Sequence, residues 1–177
     1  MSRRIFVVSD THKLNAGLYE ALFREAGNFD TVIHLGDAEG YEREIREEIA
    51  KVNPLAGVLF VRGNCDMDYA LPDYRCVDFD GIRLFITHGH RYYRKVPGGP
   101  FDALASAAAG EDCRIALFGH THKPLYEKAW NGVFLINPGS ISLPRQEERL
   151  HGYGILTIAD SGVVLWEQKF LETDDRA

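Results

Sequence analysis

The alternation of short apolar runs with longer amphipathic stretches predicts a β-α-β-α-β order over the first third of the chain. The apolar runs have the length of buried strands and lie at residues 5–8, 31–35 and 57–61. The first stretch between them repeats Leu18 and Leu22 at helical spacing. Asn15 is its expected cap and Gly27 its expected end. The second stretch predicts a helix over 42–52. Strands that alternate with helices in this way form parallel sheets through right-handed crossovers.

In the rest of the chain, apolar runs come in pairs joined by tight-turn sequences. Asp80-Gly81, Asn131-Gly132 and Asp160-Ser161-Gly162 separate the strands of three predicted hairpins. The paired strands are expected at 75–79 and 82–86, at 125–130 and 133–136, and at 153–159 and 163–170. A helix over 101–109 and a buried strand over 114–118 come between the first two hairpins. These elements predict an α/β fold in which two stacked mixed β-sheets are flanked by helices.

Composition limits the class of protein. A chain of 177 residues with 45% hydrophobic and 26% charged residues is typical of one globular domain, expected at 1–172, with a frayed tail at 173–177. The net charge of −6 argues against polymeric nucleic acid or a membrane surface as partner. No apolar run approaches the roughly 20 residues of a membrane span, and the run before Ser9 is too short for a signal peptide. We therefore expect a cytoplasmic protein.

Five short polar blocks carry side chains that bind metals. They are Asp10-Thr11-His12, Gly36-Asp37, Gly63-Asn64, Thr87-His88-Gly89-His90 and Gly119-His120-Thr121-His122. Leaving His90 aside, they offer two carboxylates, one carboxamide and four imidazoles. That set suits two metal ions that share one carboxylate and keep positions open for water and substrate. Because most blocks follow strands, we expect them to meet at the edge formed by the carboxyl ends of the strands, where α/β sheets bind ligands.

These blocks, together with Gly63-Asn64-Cys65-Asp66 and Asn137-Pro138-Gly139-Ser140, resemble the calcineurin-like metallophosphoesterase family. The resemblance is greatest to its small, single-domain bacterial and archaeal phosphodiesterase branch. It implies an α/β/β/α sandwich with a di-metal centre at one sheet edge. It further implies that one metal is held by Asp10, His12 and His122, the other by Asn64, His88 and His120, and that Asp37 bridges the two. Mn²⁺ is the first expectation because the family commonly uses it, with Ni²⁺, Fe²⁺ or Zn²⁺ as alternatives.

The implied activity is hydrolysis of a small or nucleotide-like phosphoester by metal-hydroxide attack, with a phosphodiester favoured over a phosphomonoester. The residues expected to act in catalysis are Asp37, Asn64, His88 and His90. Cys65 stands where many larger family members have a histidine that protonates the leaving group. Good leaving groups are therefore expected to react much faster than poor ones. The alternative function is a protein-binding scaffold of the same fold, similar to the retromer subunit, with little activity.

Substrate contacts are expected beside the metal blocks. Arg91 opens the run 91–95, which predicts either a wall that binds phosphate and stacks on a base or a solvated loop. Cys65 adjoins a predicted ligand, and Arg145 is the third candidate for contact with substrate. For His90 we expect either direct contact with substrate or water, or support of a metal ligand.

Two other histidines have simpler expectations, and the quaternary structure stays open. His34 lies inside an apolar run and is expected to be a buried or supporting histidine rather than a ligand. His151 precedes a predicted strand and is expected at the surface.

The expected partner is a small phosphoester substrate. The sequence does not decide between a monomer and a homodimer formed through a proline-containing loop or an edge strand.

Overall fold

The computed structural model describes residues 2–93 and 99–171, which form ten strands and three helices. In chain order these are β1 (Arg3–Val8), α1 (Ala16–Arg24), β2 (Thr31–His34), α2 (Glu42–Val52), β3 (Gly57–Phe60), β4 (Tyr74–Phe79), β5 (Ile82–Thr87), α3 (Asp102–Gly110), β6 (Ile115–Leu117), β7 (Pro124–Lys128), β8 (Phe134–Pro138), β9 (His151–Ile158) and β10 (Val164–Leu171). Within these two ranges, no helix has the length and apolarity that a membrane span requires. The tail predicted at 173–177 lies outside them.

The strands form two five-stranded mixed sheets. The first sheet has the order β10-β9-β1-β2-β3, in which β1, β2 and β3 are parallel, β9 pairs antiparallel with β1, and β10 pairs antiparallel with β9. The second sheet has the order β4-β5-β6-β8-β7, with β5, β6 and β8 parallel and an antiparallel strand at each edge. The prediction of two mixed sheets is confirmed, and all three predicted hairpins form as antiparallel pairs.

Strand β1 shows how the layers stack, because its successive side chains point to opposite faces of the first sheet. Ile5 and Val7 join a cluster between the two sheets that includes Leu84 from the second sheet. Phe6 and Val8 join a different cluster, formed with α1 and α2 on the outer face. The continuous apolar run in β1 therefore reflects burial on both faces, as is typical of parallel strands.

Helix α3 covers the outer face of the second sheet. Leu104 and Ala108 of the helix pack with Phe85 of β5 and Ala116 of β6. With α1 and α2 on the opposite side, the layers follow the order α/β/β/α. The predicted sandwich is thus confirmed, and the parallel strands of both sheets are held in a fixed relation by a shared apolar interior.

The predicted limits of α1 need correction. Asn15 occupies the N-cap position, but its side chain makes no capping hydrogen bond. Its φ of −82° and ψ of −6° are helical, whereas a capping side chain needs a more extended backbone to reach the free N–H groups. The helix ends at Arg24. Gly27 falls beyond it, in a turn closed by a hydrogen bond from the Asn28 N–H to the Glu25 carbonyl, and has a φ of +75°.

Candidate metal centre

The predicted metal ligands lie in the loops that directly follow the parallel strands. Asp10 follows β1, Asp37 follows β2 and Asn64 follows β3 in the first sheet. His88 and His120 follow β5 and β6 in the second sheet. Because the two sheets stack, these strand ends face a common region at one edge of the sandwich. The structure brings all seven predicted ligands together there.

The first group of ligand atoms consists of Asp10, His12 and His122. The Nε2 atoms of the two histidines are 3.2 Å apart, and Asp10 Oδ1 lies 3.2 Å from His122 Nε2 and 3.8 Å from His12 Nε2. His12 Nδ1 donates a hydrogen bond to Glu39 Oε1 at 2.7 Å, and His122 Nδ1 donates to the Leu143 carbonyl at 2.6 Å. In the neutral rings, both Nε2 atoms are therefore unprotonated. Three electron-pair donors converge without a proton between them, which suits a cation.

A second group forms around His88. Its Nδ1 donates a hydrogen bond to the Leu35 carbonyl at 2.7 Å, so the neutral ring again presents a lone pair at Nε2. This atom faces the Asn64 carboxamide oxygen at 3.1 Å and Asp37 Oδ2 at 3.4 Å. The His120 ring lies 5.3 Å from the His88 ring, centroid to centroid. The oxygen and nitrogen donors again suit a divalent cation.

Asp37 lies between the two groups. Its Oδ2 is 3.4 Å from His88 Nε2 and 3.6 Å from His12 Nε2. Its Oδ1 instead accepts a hydrogen bond from the Cys65 N–H at 2.8 Å. In the structure a single oxygen faces both groups, and the other oxygen fixes the orientation of the carboxylate.

Three sets of three side chains, among the described residues, have potential ligand atoms within 4.8 Å of one another. They are Asp10, His12 and His122; Asp10, Asp37 and His88; and His12, Asp37 and Cys65. The first set is the first group described above. The second set joins His88 and Asp37 to Asp10, whose Oδ1 lies 3.9 Å from His88 Nε2, so Asp10 borders both groups. In addition, Asp10 Oδ1 is buried and has no hydrogen-bond partner among residues 2–93 and 99–171, a costly state that a bound cation relieves. The residues present therefore fit a metal centre.

Five of the predicted ligands have a left-handed backbone. Their φ angles are 57° at Asp10, 46° at His12, 59° at Asp37, 66° at His120 and 59° at His122. Each non-glycine residue in this region costs on the order of 1 kcal/mol. Backbone hydrogen bonds between the loops oppose this cost, from the Asp10 N–H to the Gly36 carbonyl and from the His12 N–H to the Asp37 carbonyl. Strain of this kind clusters at functional sites.

Two glycines permit the loops to approach each other. A Cβ atom at Gly63 would overlap Asp37 Oδ1, and one at Gly119 would overlap the Ser9 hydroxyl and lie 2.8 Å from Asp10 Oδ2. The glycine before each of the ligands Asn64 and His120 is therefore required because only hydrogen fits against the carboxylates.

Sequence reasoning missed the structural part played by Asp66. This buried carboxylate accepts three backbone hydrogen bonds, from the N–H groups of Asp37 at 2.8 Å, Gly63 at 2.7 Å and Glu39 at 2.6 Å. It thereby ties the loop after β2 to the loop after β3. Its position in Gly63-Asn64-Cys65-Asp66 was the available signal, but no spacing rule assigns a buried aspartate to backbone N–H groups. Glu39, which orients His12, was missed as well.

The Asn137-Pro138-Gly139-Ser140 segment supports the ligand loops through hydrogen bonds. Asn137 Nδ2 donates to the Gly119 carbonyl at 2.8 Å and to Thr121 Oγ1 at 3.1 Å, on either side of His120. Ser140 Oγ donates to the Asp10 carbonyl at 2.8 Å. Both side chains are fully buried, so these hydrogen bonds position the backbone that carries the predicted ligands Asp10 and His120.

Burial and nearby charges shift the pKa values of these groups. Burial alone would raise the pKa of the Asp10 carboxyl, but His88 and His122 hold it below its ordinary value. Burial would also raise the pKa of the Asp37 carboxyl, but its contacts with His88 lower that pKa below its ordinary value. Burial disfavours the charged form of His88, yet the carboxylates of Asp10 and Asp37 raise its pKa. Both carboxylates are therefore ionised at neutral pH, as metal binding requires.

His34 and His90 flank the centre without belonging to either group. His34 is fully buried, as expected, with Nδ1 accepting from the Gly36 N–H at 3.2 Å and Nε2 lying 3.2 Å from Thr11 Oγ1. Burial lowers the pKa of His34 to about 4. The His90 ring is 5.5 Å from that of His88, and its buried Nδ1 has no hydrogen-bond partner in the part of the chain that the structure describes. Burial and the charge of His88 lower the pKa of His90 to about 4.

The three predicted substrate contacts differ in their surroundings. Cys65 is exposed and its Sγ accepts a hydrogen bond from Asn64 Nδ2 at 3.2 Å. Arg145 lines a cavity of about 270 Å³ together with Tyr93, His120, Thr121 and Lys123. Arg91 forms an ion pair with Asp73 at 3.0 Å. The remaining cations of the basic run, at 94 and 95, lie outside the described residues.

His151 is less exposed than its position before a strand suggests. This side chain is half-buried, and its Nδ1 donates to the Ile141 carbonyl at 2.8 Å. The reason is tertiary, because the segment that follows Ser140 folds back over the first residue of β9. A sequence pattern along β9 alone does not reveal that contact.

The family follows from comparison with known proteins. Residues 4–161 match the family model of the calcineurin-like phosphoesterase superfamily domain. The chain belongs to this superfamily. It is 34% identical over 146 residues to the probable metallophosphoesterase MJ0623 of Methanocaldococcus jannaschii, which covers 80% of this chain and 69% of the relative. The resemblance drawn from the polar blocks is thereby confirmed.

Two solved structures extend the comparison. YfcE from Escherichia coli, described as a phosphoesterase and named a phosphodiesterase, superimposes with a TM-score of 0.61 at 26% identity, over 94% of this chain and 98% of that protein. Vps29 from Entamoeba histolytica in complex with zinc gives a TM-score of 0.69 at 22% identity, over 94% of this chain and 98% of that one. At that identity, the likeness to Vps29 concerns the fold alone.

Proposed function

We propose that this protein is a di-metal-dependent phosphodiesterase that hydrolyses a small or nucleotide-like phosphoester. The observation that carries the proposal is the position of Asp37 Oδ2, which faces both His12 Nε2 and His88 Nε2, between two groups of nitrogen and oxygen donors. Superfamily membership and the phosphodiesterase name of YfcE support the reaction class. The ligand assignment is the one that the resemblance implies.

The chain's own residues would hold and orient the reacting groups. Asp10, His12 and His122 would hold one cation, Asn64, His88 and His120 the other, and Asp37 both. When bound, two divalent cations supply an activated water and neutralise charge on the phosphoryl oxygens. The carbonyls of Leu35 and Leu143 keep the His88 and His122 rings fixed, so little reorganisation is needed during the reaction.

Other residues would contact the substrate rather than the metals. His90 keeps an unpaired Nδ1 beside the second group and is neutral at physiological pH, so it offers a hydrogen bond without adding charge. Arg145, Lys123 and the Tyr93 ring line the cavity of about 270 Å³ next to His120, which supports the proposal that they contact the phosphoester. The Arg91 guanidinium is paired with Asp73, so a substrate phosphate would compete with that carboxylate for it.

Manganese remains our proposal for the native metal, with nickel, iron or zinc as alternatives. Imidazole, carboxylate and amide ligands suit all four ions, and the proposed ligand set contains no thiolate that would favour a softer one. A cytoplasmic location is likewise proposed, in keeping with three free thiols. The choice between a monomer and a homodimer stays open.

The direct test is hydrolysis of bis-p-nitrophenyl phosphate by the metal-free protein to which Mn²⁺ is added. We expect turnover that depends on Mn²⁺ and is lost in His120→Ala. Arg43→Ala, an exposed change on α2, is the control and should keep wild-type turnover. Unfolding midpoints of all three proteins show whether they are folded. Full turnover in a folded His120→Ala would contradict the proposal.

The second candidate function is a protein-binding scaffold, which the likeness in fold to Vps29, a vacuolar protein sorting protein, favours. Exposed aromatic side chains such as Tyr126 and Trp130, on and beside the edge strand β7, are compatible with a docking face. Absence of turnover across Mn²⁺, Ni²⁺, Fe²⁺ and Zn²⁺, with mono-, di- and cyclic phosphoesters, would favour the scaffold over the hydrolase.

A further inference from the structure

A second cavity adjoins the candidate metal centre and has a positively charged lining. It measures about 390 Å³ and is lined by Ser142, Leu143, Pro144, Arg145, Arg149 and His151. Two arginines and a histidine line this one cavity, although the net charge of the chain is −6. Glu147 and Glu148 lie between the two arginines along the chain, but neither lines the cavity.

The arginines keep their charge available. Among residues 2–93 and 99–171, no carboxylate forms an ion pair with Arg145 or Arg149. By contrast, Arg62 and Arg91 both pair with Asp73. Unpaired guanidinium groups that share a cavity form a site for a planar or tetrahedral oxyanion, which they bind through several N–H donors.

The walls of this cavity are fixed by the same hydrogen bonds that build the metal centre. Leu143 accepts from His122 Nδ1, and the Arg145 N–H donates to the His122 carbonyl at 3.0 Å. The N–H groups of Ser142 and Leu143 donate to Ser140 Oγ, which itself holds the Asp10 loop. The cavity therefore lies one backbone segment away from a predicted metal ligand.

Arg145 joins the two cavities. It lines both the cavity beside His120 and the cavity that contains Arg149 and His151. With Lys123 in the first cavity, positive side chains extend from the metal centre to His151. The far end is held in place, because His151 is anchored to the Ile141 carbonyl and the Arg149 N–H donates to the Gln146 carbonyl at 3.2 Å.

We propose that the cavity lined by Arg149 and His151 binds a second phosphate group of the substrate, beyond the phosphoester that is cleaved. The proposal deepens the proposed function and rests on it. It assigns the substrate to nucleotide-like phosphodiesters that carry an additional phosphate, because a neutral substituent would leave the two arginines without a partner. Arg149 then determines specificity, and the metal ligands carry the reaction.

A matched pair of substrates tests this proposal. The p-nitrophenyl ester of thymidine 5′-phosphate and the same ester bearing a 3′-phosphate share the bond that is cleaved and differ only in the second phosphate. With Mn²⁺, we expect the 3′-phosphorylated ester to have a KM about tenfold lower, as one charge-assisted contact provides. Arg149→Gln should abolish that preference, and Arg149→Lys should restore part of it. Arg43→Gln, an exposed change elsewhere, should keep the full preference.

Equal KM values for the two esters with the wild-type protein would overturn the proposal, as would a full preference in Arg149→Gln. Binding by isothermal titration separates this failure from failure of the proposed function. If thymidine 3′,5′-bisphosphate binds about tenfold more tightly than thymidine 5′-phosphate, and only with Arg149 present, the phosphate site stands even without turnover. Turnover without either preference would uphold the phosphodiesterase and remove the second phosphate site.

Discussion

The Nε2 atoms of His12 and His122 face each other at 3.2 Å, although neither ring has a proton to share in its neutral form. Each ring uses its Nδ1 proton elsewhere, on Glu39 and on the Leu143 carbonyl. Two lone pairs at this distance repel each other, and the nearby carboxylate of Asp10 adds negative charge rather than relief. Such an arrangement is stable when a cation or a proton lies between the donors. Without one, the hydrogen bonds between the loops must oppose the repulsion.

Asp66 is expected to contribute strongly to the stability of these loops. Asp66→Ala leaves three backbone N–H groups without their acceptor in a buried place, so we expect a loss of about 3 kcal/mol in the free energy of unfolding. Asp68→Ala is the matched control in the same loop, because Asp68 is exposed and accepts only the Ala70 N–H. Urea unfolding measures both, and equal losses would show that Asp66 has no special part.

Gly63 is expected to be intolerant of even one methyl group. In Gly63→Ala the added Cβ overlaps the Asp37 carboxylate, so the carboxylate must move. Because a shift of about 1 Å in a catalytic group lowers turnover on the order of a hundredfold, we expect a loss of that size. Gly110→Ala is the control, because nothing lies within 4 Å of its added Cβ at the end of α3. It should leave kcat/KM unchanged and stabilise the helix slightly. Measured kcat/KM values that fall equally in both variants would contradict this reading of the site.

His34 makes stability depend on pH. Its pKa is about 4 in the folded protein, because of burial, and about 6.5 when unfolded. At a pH between these two pKa values, His34 binds a proton in the unfolded chain but stays neutral in the folded protein. The free energy of unfolding should therefore fall as the pH decreases from about 6.5 to about 4, by an amount on the order of 3 kcal/mol in total.

Urea unfolding of the metal-free protein across this range measures the effect. Other groups titrate as well, so the difference between the wild-type protein and His34→Gln isolates the contribution of His34. Glutamine keeps a donor that can reach Thr11 but does not titrate. If both proteins lose stability equally on acidification, the burial of an uncharged His34 is not the cause.

Much of the fold was predictable because apolar spacing determines it. The helix over 42–52 forms with those same limits, since Ile45 and Ile49 mark one buried face and Pro54 prevents continuation. The convergence of Asp10 and Asp37 also followed from the sequence, because residues at the carboxyl ends of neighbouring parallel strands must share an edge.

The remainder depends on loop conformations that no local pattern specifies. Nothing in the sequence around Asp10 or His122 indicates a left-handed backbone, which tertiary hydrogen bonds impose. The orientation of Arg91 is determined by Asp73, eighteen positions earlier along the chain. The burial of His151 depends on the segment after Ser140. Contacts of this kind are decided by packing between loops, which a one-dimensional pattern does not encode.

The central claim is that this chain binds two divalent cations that share Asp37. Equilibrium dialysis of the metal-free protein against Mn²⁺, followed by measurement of manganese per chain, tests it most directly. We expect about two manganese ions per wild-type chain and at most one in Asp37→Asn, with turnover lost in parallel. A wild-type chain that stays free of manganese, nickel, iron and zinc, or a folded Asp37→Asn that keeps both ions and near-full turnover, would contradict the account.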